Sequence, residues 1–229
     1  MSKRVTLILS LLLIAGISIA LAMKAGTGKP PAPLPVIDTT TRRIADTWNS
    51  HAVDSAIGYL HTGDIVLRMG FGADSYLLAR LNHRDKRFSH CGIVVVEEGK
   101  PWVYHSIGGE DNPDERLRRD PAASFFSPAH NSSIAIVRYH LRAGETKELT
   151  RIAHSRYAAR PRFDMQFDLS TDDKLYCSEF VYKSVCSAVH DTTYLPTTQG
   201  VARRYVGIDD LFLNAHAAMV FQIKFKQYL

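Results

Sequence analysis

The chain has 229 residues, of which 45% are hydrophobic and 22% charged, with a formal net charge of +5 and a pI near 9.1. This composition gives no sign of disorder, and the length fits one catalytic domain after a leader. The basic residues are scattered apart from the runs at 116–119 and 160–162, and no recognition motif accompanies them. We interpret them as a solvated surface, and nucleic acid is not an expected partner.

The first 23 residues carry an export pattern. Lys3 and Arg4 precede an uncharged run from Val5 to Met23, in which Ala20-Leu21-Ala22 matches a small-x-small cleavage site. The run also approaches the ~20 residues that span a bilayer. Residues 1–23 are therefore expected to be a cleaved signal peptide or a membrane anchor. In either case the rest of the chain is expected outside the cytoplasm, in the periplasm or held at the inner membrane.

Residues 24–38 contain a Gly- and Pro-rich stretch and are predicted to be a stiff linker, so the domain is expected to span 39–229. An amphipathic helix is predicted over 39–60, capped by Thr40 or Thr41, with an inward face formed by Ile44, Trp48, Val53, Ile57 and Leu60. A turn, a strand over 65–69 and a helix over 75–81 follow. Asp64, beside a turn glycine, is expected to bond local backbone amides rather than to act in catalysis.

Two histidines lie on a predicted β-hairpin with strands over 88–96 and 102–106 and a turn at 97–100. With the turn centred near Glu98 and Gly99, His105 falls opposite or diagonal to His90. Such cross-strand neighbours lie roughly 5 to 8 Å apart. A structural or surface role is the default for either histidine alone, but the pairing indicates a shared network.

The remaining elements are predicted from pattern and turn residues. Residues 107–114 form an acidic loop that gives only weak support for a cation site. Helices are predicted over 114–126, 145–159 and 208–212, and strands over 133–139 and 219–225. In the segment 163–169 every second residue is apolar, so Asp164 and Asp168 project on related faces. Either carboxylate could line a cleft or be solvated.

Cys177 begins a predicted buried helix, because apolar residues recur after it at three- and four-residue spacing: Phe180, Val181, Val185, Ala188 and Val189. Unpaired N–H groups and the positive end of the helix dipole favour the thiolate at such a position. The alternative is a small apolar filler of the core.

The other cysteines, Cys91 and Cys186, could form a disulfide, or all three could be reduced; the odd number leaves at least one free thiol. No Cys-x-x-Cys or His-Glu-x-x-His motif occurs, so no metal or other cofactor is predicted.

Cys177, His90 and His105 can fill the roles of a thiol hydrolase. Cys177 would attack a carbonyl carbon, His90 would hold and return the proton, and His105 would orient His90. Amides at the helix start, helped by the Tyr176 hydroxyl, would face the oxyanion, and Asp164 is a candidate for the substrate cleft.

These segments resemble one family. Gly63-Asp64-Ile65-Val66, Ser89-His90-Cys91-Gly92-Ile93-Val94, Tyr104-His105, Phe163-Asp164 and Leu175-Tyr176-Cys177-Ser178-Glu179-Phe180-Val181 are similar to motifs of the circularly permuted papain-like cysteine hydrolases of the NlpC superfamily. Bacterial members are called YiiX/YebB-like, and lecithin retinol acyltransferases are relatives. The resemblance covers roughly residues 62–189.

The resemblance implies an α+β fold with a small antiparallel sheet packed on the cysteine helix, with His90 as base, Cys177 as nucleophile and His105 as the match for the third member. Cys91 departs from the pattern, since an apolar residue is expected there, and the loop after His105 has no counterpart.

The sequence thus predicts an envelope cysteine hydrolase that cleaves an amide, for example in peptidoglycan peptides, through a thioester. Its expected partners are a peptide or acyl substrate and, through an uncleaved leader, the membrane. A lipid acyl hydrolase or acyltransferase of the same fold, and a catalytically silent binding module, are the alternatives.

Overall fold

The computed structural model describes residues 39–109, 112–201 and 203–227. The predicted leader (1–23) and linker (24–38) lie outside these residues. Within the described part of the chain, no helix is both long and apolar enough to cross a bilayer.

The fold mixes helices with mostly antiparallel strands. The helices are α1 (Thr39–Tyr59), α2 (Ala73–Arg80), α3 (Ala122–Phe125), α4 (Ala143–Ala159), α5 (Cys177–Ala188) and α6 (Ile208–Phe212). The strands are β1 (Ile65–Gly70), β2 (His90–Glu97), β3 (Lys100–His105), β4 (Arg118–Pro121), β5 (Asn131–Tyr139), β6 (Thr198–Gln199), β7 (Arg204–Tyr205) and β8 (Ala217–Lys224).

Six strands form one antiparallel sheet in the order β4-β3-β2-β1-β5-β8, while β6 and β7 pair separately. Both faces of the sheet are buried, which explains the near-continuous apolar runs of β1 and β2. We call the face that carries Leu67, Cys91 and Ile93 the α5 face, because α4 and α5 pack on it. The face that carries Val66 and Val94 is the α1 face, because α1 and α3 cover it.

The predicted hairpin is confirmed. Glu98 and Gly99 form a two-residue turn between β2 and β3, and both have positive φ angles (51° and 75°), as a type I′ turn requires. The pairing runs from Glu97–Lys100 to Ile93–Tyr104. His105 is therefore diagonal to His90, one of the two placements that the sequence predicts.

Two predictions about the scaffold are wrong. The helix predicted over 114–126 is instead strand β4 followed by the single turn α3, because residues 118–121 pair with β3 and Pro121 cannot lie inside a helix. Ile44 was placed on the inward face of α1 but is 59% exposed, whereas Val53 and Leu60 are buried as predicted. The local role predicted for Asp64 is confirmed, since its carboxylate accepts from the His61 N–H at 2.8 Å and pairs with Arg138.

Candidate active site

His90 and His105 are in direct contact on the α1 face of the sheet. Nε2 of His90 lies 2.8 Å from Nδ1 of His105, and both rings pack against Phe125. Strand alternation explains the placement, because His90 shares a face with Val94, and His105 with Val103. The hairpin therefore brings together the two imidazoles that the sequence predicted as a network.

Asp120 on β4 extends this pair into a chain of three groups. Its Oδ2 lies 3.0 Å from Nε2 of His105, and its Oδ1 accepts from the Arg118 guanidinium at 3.0 Å. Burial raises the pKa of Asp120, but the bonds from His105 and Arg118 outweigh it and hold that pKa below the ordinary value. Asp120 is therefore ionised and can only accept hydrogen bonds.

An ionised Asp120 fixes the tautomers along the chain. His105 must donate from Nε2 to Asp120, so its Nδ1 is an acceptor and receives the N–H of His90 Nε2. This arrangement leaves Nδ1 of His90 unprotonated. Burial, then Arg68, then His105 lower the pKa of His90, and burial also lowers that of His105 although Asp120 opposes the shift. Both rings are therefore neutral near pH 7, and His90 presents a free basic nitrogen.

Cys177 is the first residue of α5 and is 6% exposed. A hydrogen bond from the Cys91 thiol lowers the pKa of Cys177; burial opposes this shift, while the backbone N–H groups of Cys91 and Ser178 add to it. The helix start is fixed by Glu179, whose carboxylate accepts from the Tyr176 N–H at 3.1 Å. Burial raises the pKa of Glu179 to about 7, although Lys183 at 2.9 Å opposes that shift.

The start of α5 lies beside the point where the pairing of β2 and β3 ends. The last paired residues of these strands are Ile93 and Tyr104. Two residues beyond Tyr104, the Ser106 hydroxyl donates to the Leu175 carbonyl at 2.5 Å. Because Leu175 is two residues before Cys177, this bond places the beginning of the helix beside the end of β3.

The thiol and the imidazoles lie near this point, on neighbouring residues of β2. The N–H of Val94 bonds toward β1, so by alternation the N–H of Cys91 points to the β3 side of β2, where Cys177 accepts it. His90, the residue before Cys91, contacts His105 of β3 on the α1 face. The structure thus brings His90 and His105 into contact, and it places Cys177 against the backbone of the residue after His90.

A family model for permuted papain-like amidase enzymes of the YaeF/YiiX type, the C92 family, matches residues 59–203. This range is more than half of the chain and includes the histidine pair, Asp120 and Cys177. The chain belongs to this family. The family name points to an amide hydrolase.

The chain is also similar to YiiX proteins of Escherichia coli. YiiX of strain K12, an uncharacterised protein, is 27% identical over 124 residues, which are 53% of this chain and 55% of that protein. The chain thus matches just over half of the length of that relative. The crystal structure of the metalloprotein YiiX from strain O157:H7 superposes with a TM-score of 0.58 at 18% identity, covering 72% of this chain and 98% of that one. At this identity the similarity shows the fold alone.

Tyr176 and Asp164 have structural contacts in this family member. The Tyr176 hydroxyl accepts from the Val206 N–H at 2.9 Å and is buried. The Asp164 carboxylate closes a turn by accepting the N–H groups of Gln166 and Asp168 at 2.9 and 2.6 Å. Their predicted roles in binding substrate or oxyanion stay predictions.

Sequence reasoning missed Asp120 and the contact of Cys91 with Cys177. Asp120 lies in a segment that the sequence pattern predicts to be helical, and its place on a strand beside His105 follows only from the pairing of β3 with β4. All three cysteines are free thiols, so the alternative of reduced cysteines is the one observed. Across the residues that the structure describes, no group of three or more His, Cys, Asp or Glu side chains is arranged to hold a metal ion. The wider relation to the NlpC superfamily and to lecithin retinol acyltransferases also stays a prediction.

Proposed function

We propose that this C92-family protein hydrolyses a peptide amide in the cell envelope, with Cys177 as nucleophile and a thioester acyl-enzyme as intermediate. The observation that supports the proposal is the hydrogen-bonded chain His90–His105–Asp120, which begins on the residue next to Cys91, the bonding partner of the Cys177 sulfur. A nucleophile, a base and a group that orients the base are the three parts that this chemistry needs.

In the first step, Nδ1 of His90 takes the proton of the Cys177 thiol, and the thiolate attacks the amide carbonyl carbon. The proton then passes from His90 to the leaving amine as the C–N bond breaks and the thioester remains on Cys177. Water, deprotonated by the same nitrogen, hydrolyses the thioester and releases the acid. His105 and Asp120 act as positioning residues, because they hold the His90 ring and its tautomer.

The start of α5 provides the oxyanion site. The first N–H groups of a helix have no intrahelical partner, and the Ser178 N–H already faces the Cys177 sulfur. One such donor contributes about 2.7 to 4 kcal/mol to lowering the barrier. The helix dipole adds to it by favouring negative charge at the same place.

The envelope location and the peptide substrate rest on the sequence. The charged start and uncharged run of residues 1–23 are the pattern of an export signal or anchor. For a hydrolase outside the cytoplasm, we propose a cell-wall peptide as substrate, such as an amide beside a D-amino acid in peptidoglycan.

Digestion of purified cell wall tests this proposal, with phospholipid vesicles as the competing substrate. We expect new free amino groups from cell wall with the wild type and with Cys186→Ala, whose free thiol is buried elsewhere on α5, and none with Cys177→Ala. Fatty acid released from vesicles alone would instead identify an acyl hydrolase. Binding of cell wall without any product would identify a silent binding module.

Alkylation with iodoacetamide tests the nucleophile without a substrate. Cys177 should react faster than Cys91 and Cys186, and His90→Ala should remove that preference. Equal labelling of the three thiols in the wild type would argue against Cys177 as nucleophile.

A further inference from the structure

Large apolar side chains are exposed around the candidate active site. Of the eleven such side chains within the described ranges, six lie on the segments 71–81, 163–169 and 198–205. We call these segments the apolar rim. Their exposed apolar residues, each at least 44% accessible relative to the extended chain, are Phe71, Tyr76, Leu77, Leu81, Met165 and Val201.

Hydrogen bonds and an ion pair join the three segments of the apolar rim. The Tyr205 hydroxyl donates to the Leu81 carbonyl at 2.8 Å, which joins the β6–β7 hairpin to the end of α2. Arg203 of the same hairpin donates to the Gln166 carbonyl at 3.4 Å and pairs with Asp168 at 3.2 Å. The segments that carry the exposed apolar groups are therefore neighbours.

The rim lies beside the start of α5. The hairpin is tied there by Val206, whose carbonyl accepts from the Ser178 hydroxyl at 2.8 Å. The Phe167 ring lies 5.1 Å from the ring of Tyr176. Phe71 directly follows β1 at the end of the sheet where β2 begins with His90. The rim therefore borders the end of the molecule that carries the proposed catalytic groups.

Basic residues accompany the apolar ones. The stretch 71–87 contains four basic and two acidic residues, and of the acids Asp85 is paired with Arg87 at 2.7 Å. Arg80 and Lys86 are exposed, as is Arg204 on the hairpin. Apolar and aromatic side chains mixed with exposed Arg and Lys are typical of segments that lie in the headgroup region of anionic bilayers.

The sequence before the domain fits a membrane location, because residues 1–23 have the pattern of an export signal or a membrane anchor.

We propose that the apolar rim docks on the surface of an anionic lipid bilayer. Phe71, Leu77 and Leu81 enter the headgroup region, and Arg80 and Lys86 pair with lipid phosphates. Docking in this orientation places the end of the molecule that carries His90 and the start of α5 at the membrane surface. The inference does not depend on the reaction at Cys177.

Fluorescence quenching in the full chain tests the orientation. Leu77→Trp reports on the rim, and Val96→Trp, exposed at the far end of β2, is the matched control. Both variants keep the native Trp48 and Trp102 as a common background. With vesicles of brominated phosphatidylglycerol, we expect at least half of the added emission of Leu77→Trp to be quenched, and that of Val96→Trp to be unchanged.

Both variants carry the same N-terminal residues, so equal quenching at the two positions, or quenching at neither, would overturn the proposal. A second measurement uses Phe71→Trp as reporter. Adding Leu77→Ser should weaken rim docking at least about tenfold, as expected for losing one buried leucine side chain. Leu77 is 62% exposed, so this variant should fold, and unchanged docking would also overturn the proposal.

Discussion

Replacing Asp120 by Asn tests the hydrogen-bonded chain at its outer end. Asp120 uses both oxygens, one for Arg118 and one for His105, each at 3.0 Å. An asparagine has only one acceptor oxygen, and the Arg118 cation should take it, which turns the amide NH₂ toward His105. His105 must then accept at Nε2 and donate from Nδ1, so His90 is protonated at Nδ1 and cannot act as the base.

The expected loss of the correct tautomer follows from two hydrogen bonds to His105: the one that Asp120 makes and the one that the asparagine amide would make in its place. The bond between Asp120 and His105 involves a charged group and contributes about 1.5 to 3 kcal/mol to the correct tautomer. The bond in the variant is neutral and favours the wrong tautomer by about 0.5 to 1.5 kcal/mol. Together they amount to about 2 to 4.5 kcal/mol, a factor of about 30 to 2,000 in the population with a free His90 Nδ1.

The assay is the second-order rate constant for alkylation of Cys177 by iodoacetamide at pH 7, read by peptide mass spectrometry. Since some thiolate forms without a base, we expect a fall of at least tenfold for Asp120→Asn. Asp114→Asn is the control. Asp114 and Asp120 both line a pocket of about 210 Å³, but Asp114 pairs with Arg160. A rate within twofold of the wild type, with unchanged circular dichroism, would refute the tautomer argument.

Three further predictions concern the same strands. Cys91→Ala removes the thiol donor and should raise the pKa of Cys177, so the pH profile of Cys177 alkylation should shift to higher pH. Cys91→Ser keeps a donor and should leave the profile unchanged. Equal profiles for Cys91→Ala and the wild type would contradict this role of Cys91. Gly92→Ala should destabilise the fold by about 1 to 3 kcal/mol in urea unfolding, because the new Cβ would lie 2.5 Å from a Val103 methyl. Gly58→Ala on α1 is the control, since its new Cβ would have no neighbouring atom within 4 Å and the change should be neutral or stabilising. Because burial lowers the pKa of His90, its contribution to stability is present above about pH 6.5 and is lost as the pH falls below that value. The free energy of unfolding should therefore fall more steeply between pH 6.5 and 5 in the wild type than in His90→Gln, by up to about 1.4 kcal/mol per pH unit, and parallel curves would contradict the assignment.

Local sequence patterns are sufficient to predict most of the helices and strands. The hairpin followed from Glu98-Gly99 between two apolar runs, and the α5 helix from the spacing of Phe180, Val181 and Val185. The residues that make up each pattern lie within a few positions of one another in the chain, and over such short distances propensity and turn chemistry dominate. The segment 114–126 failed for the opposite reason, because its strand exists only through pairing with β3.

The sequence by itself determined that two imidazoles would share one end of a hairpin and that a cysteine would begin a buried helix, since period and turn residues decide both. Only the tertiary structure decided that Asp120 bonds to His105, that the pairing of β2 and β3 ends at Ile93–Tyr104, and that Cys177 lies against Cys91. These contacts join residues that are distant in the chain or depend on where a strand pair ends. Their positions are fixed by the packing of α5 on the sheet, which no local pattern encodes.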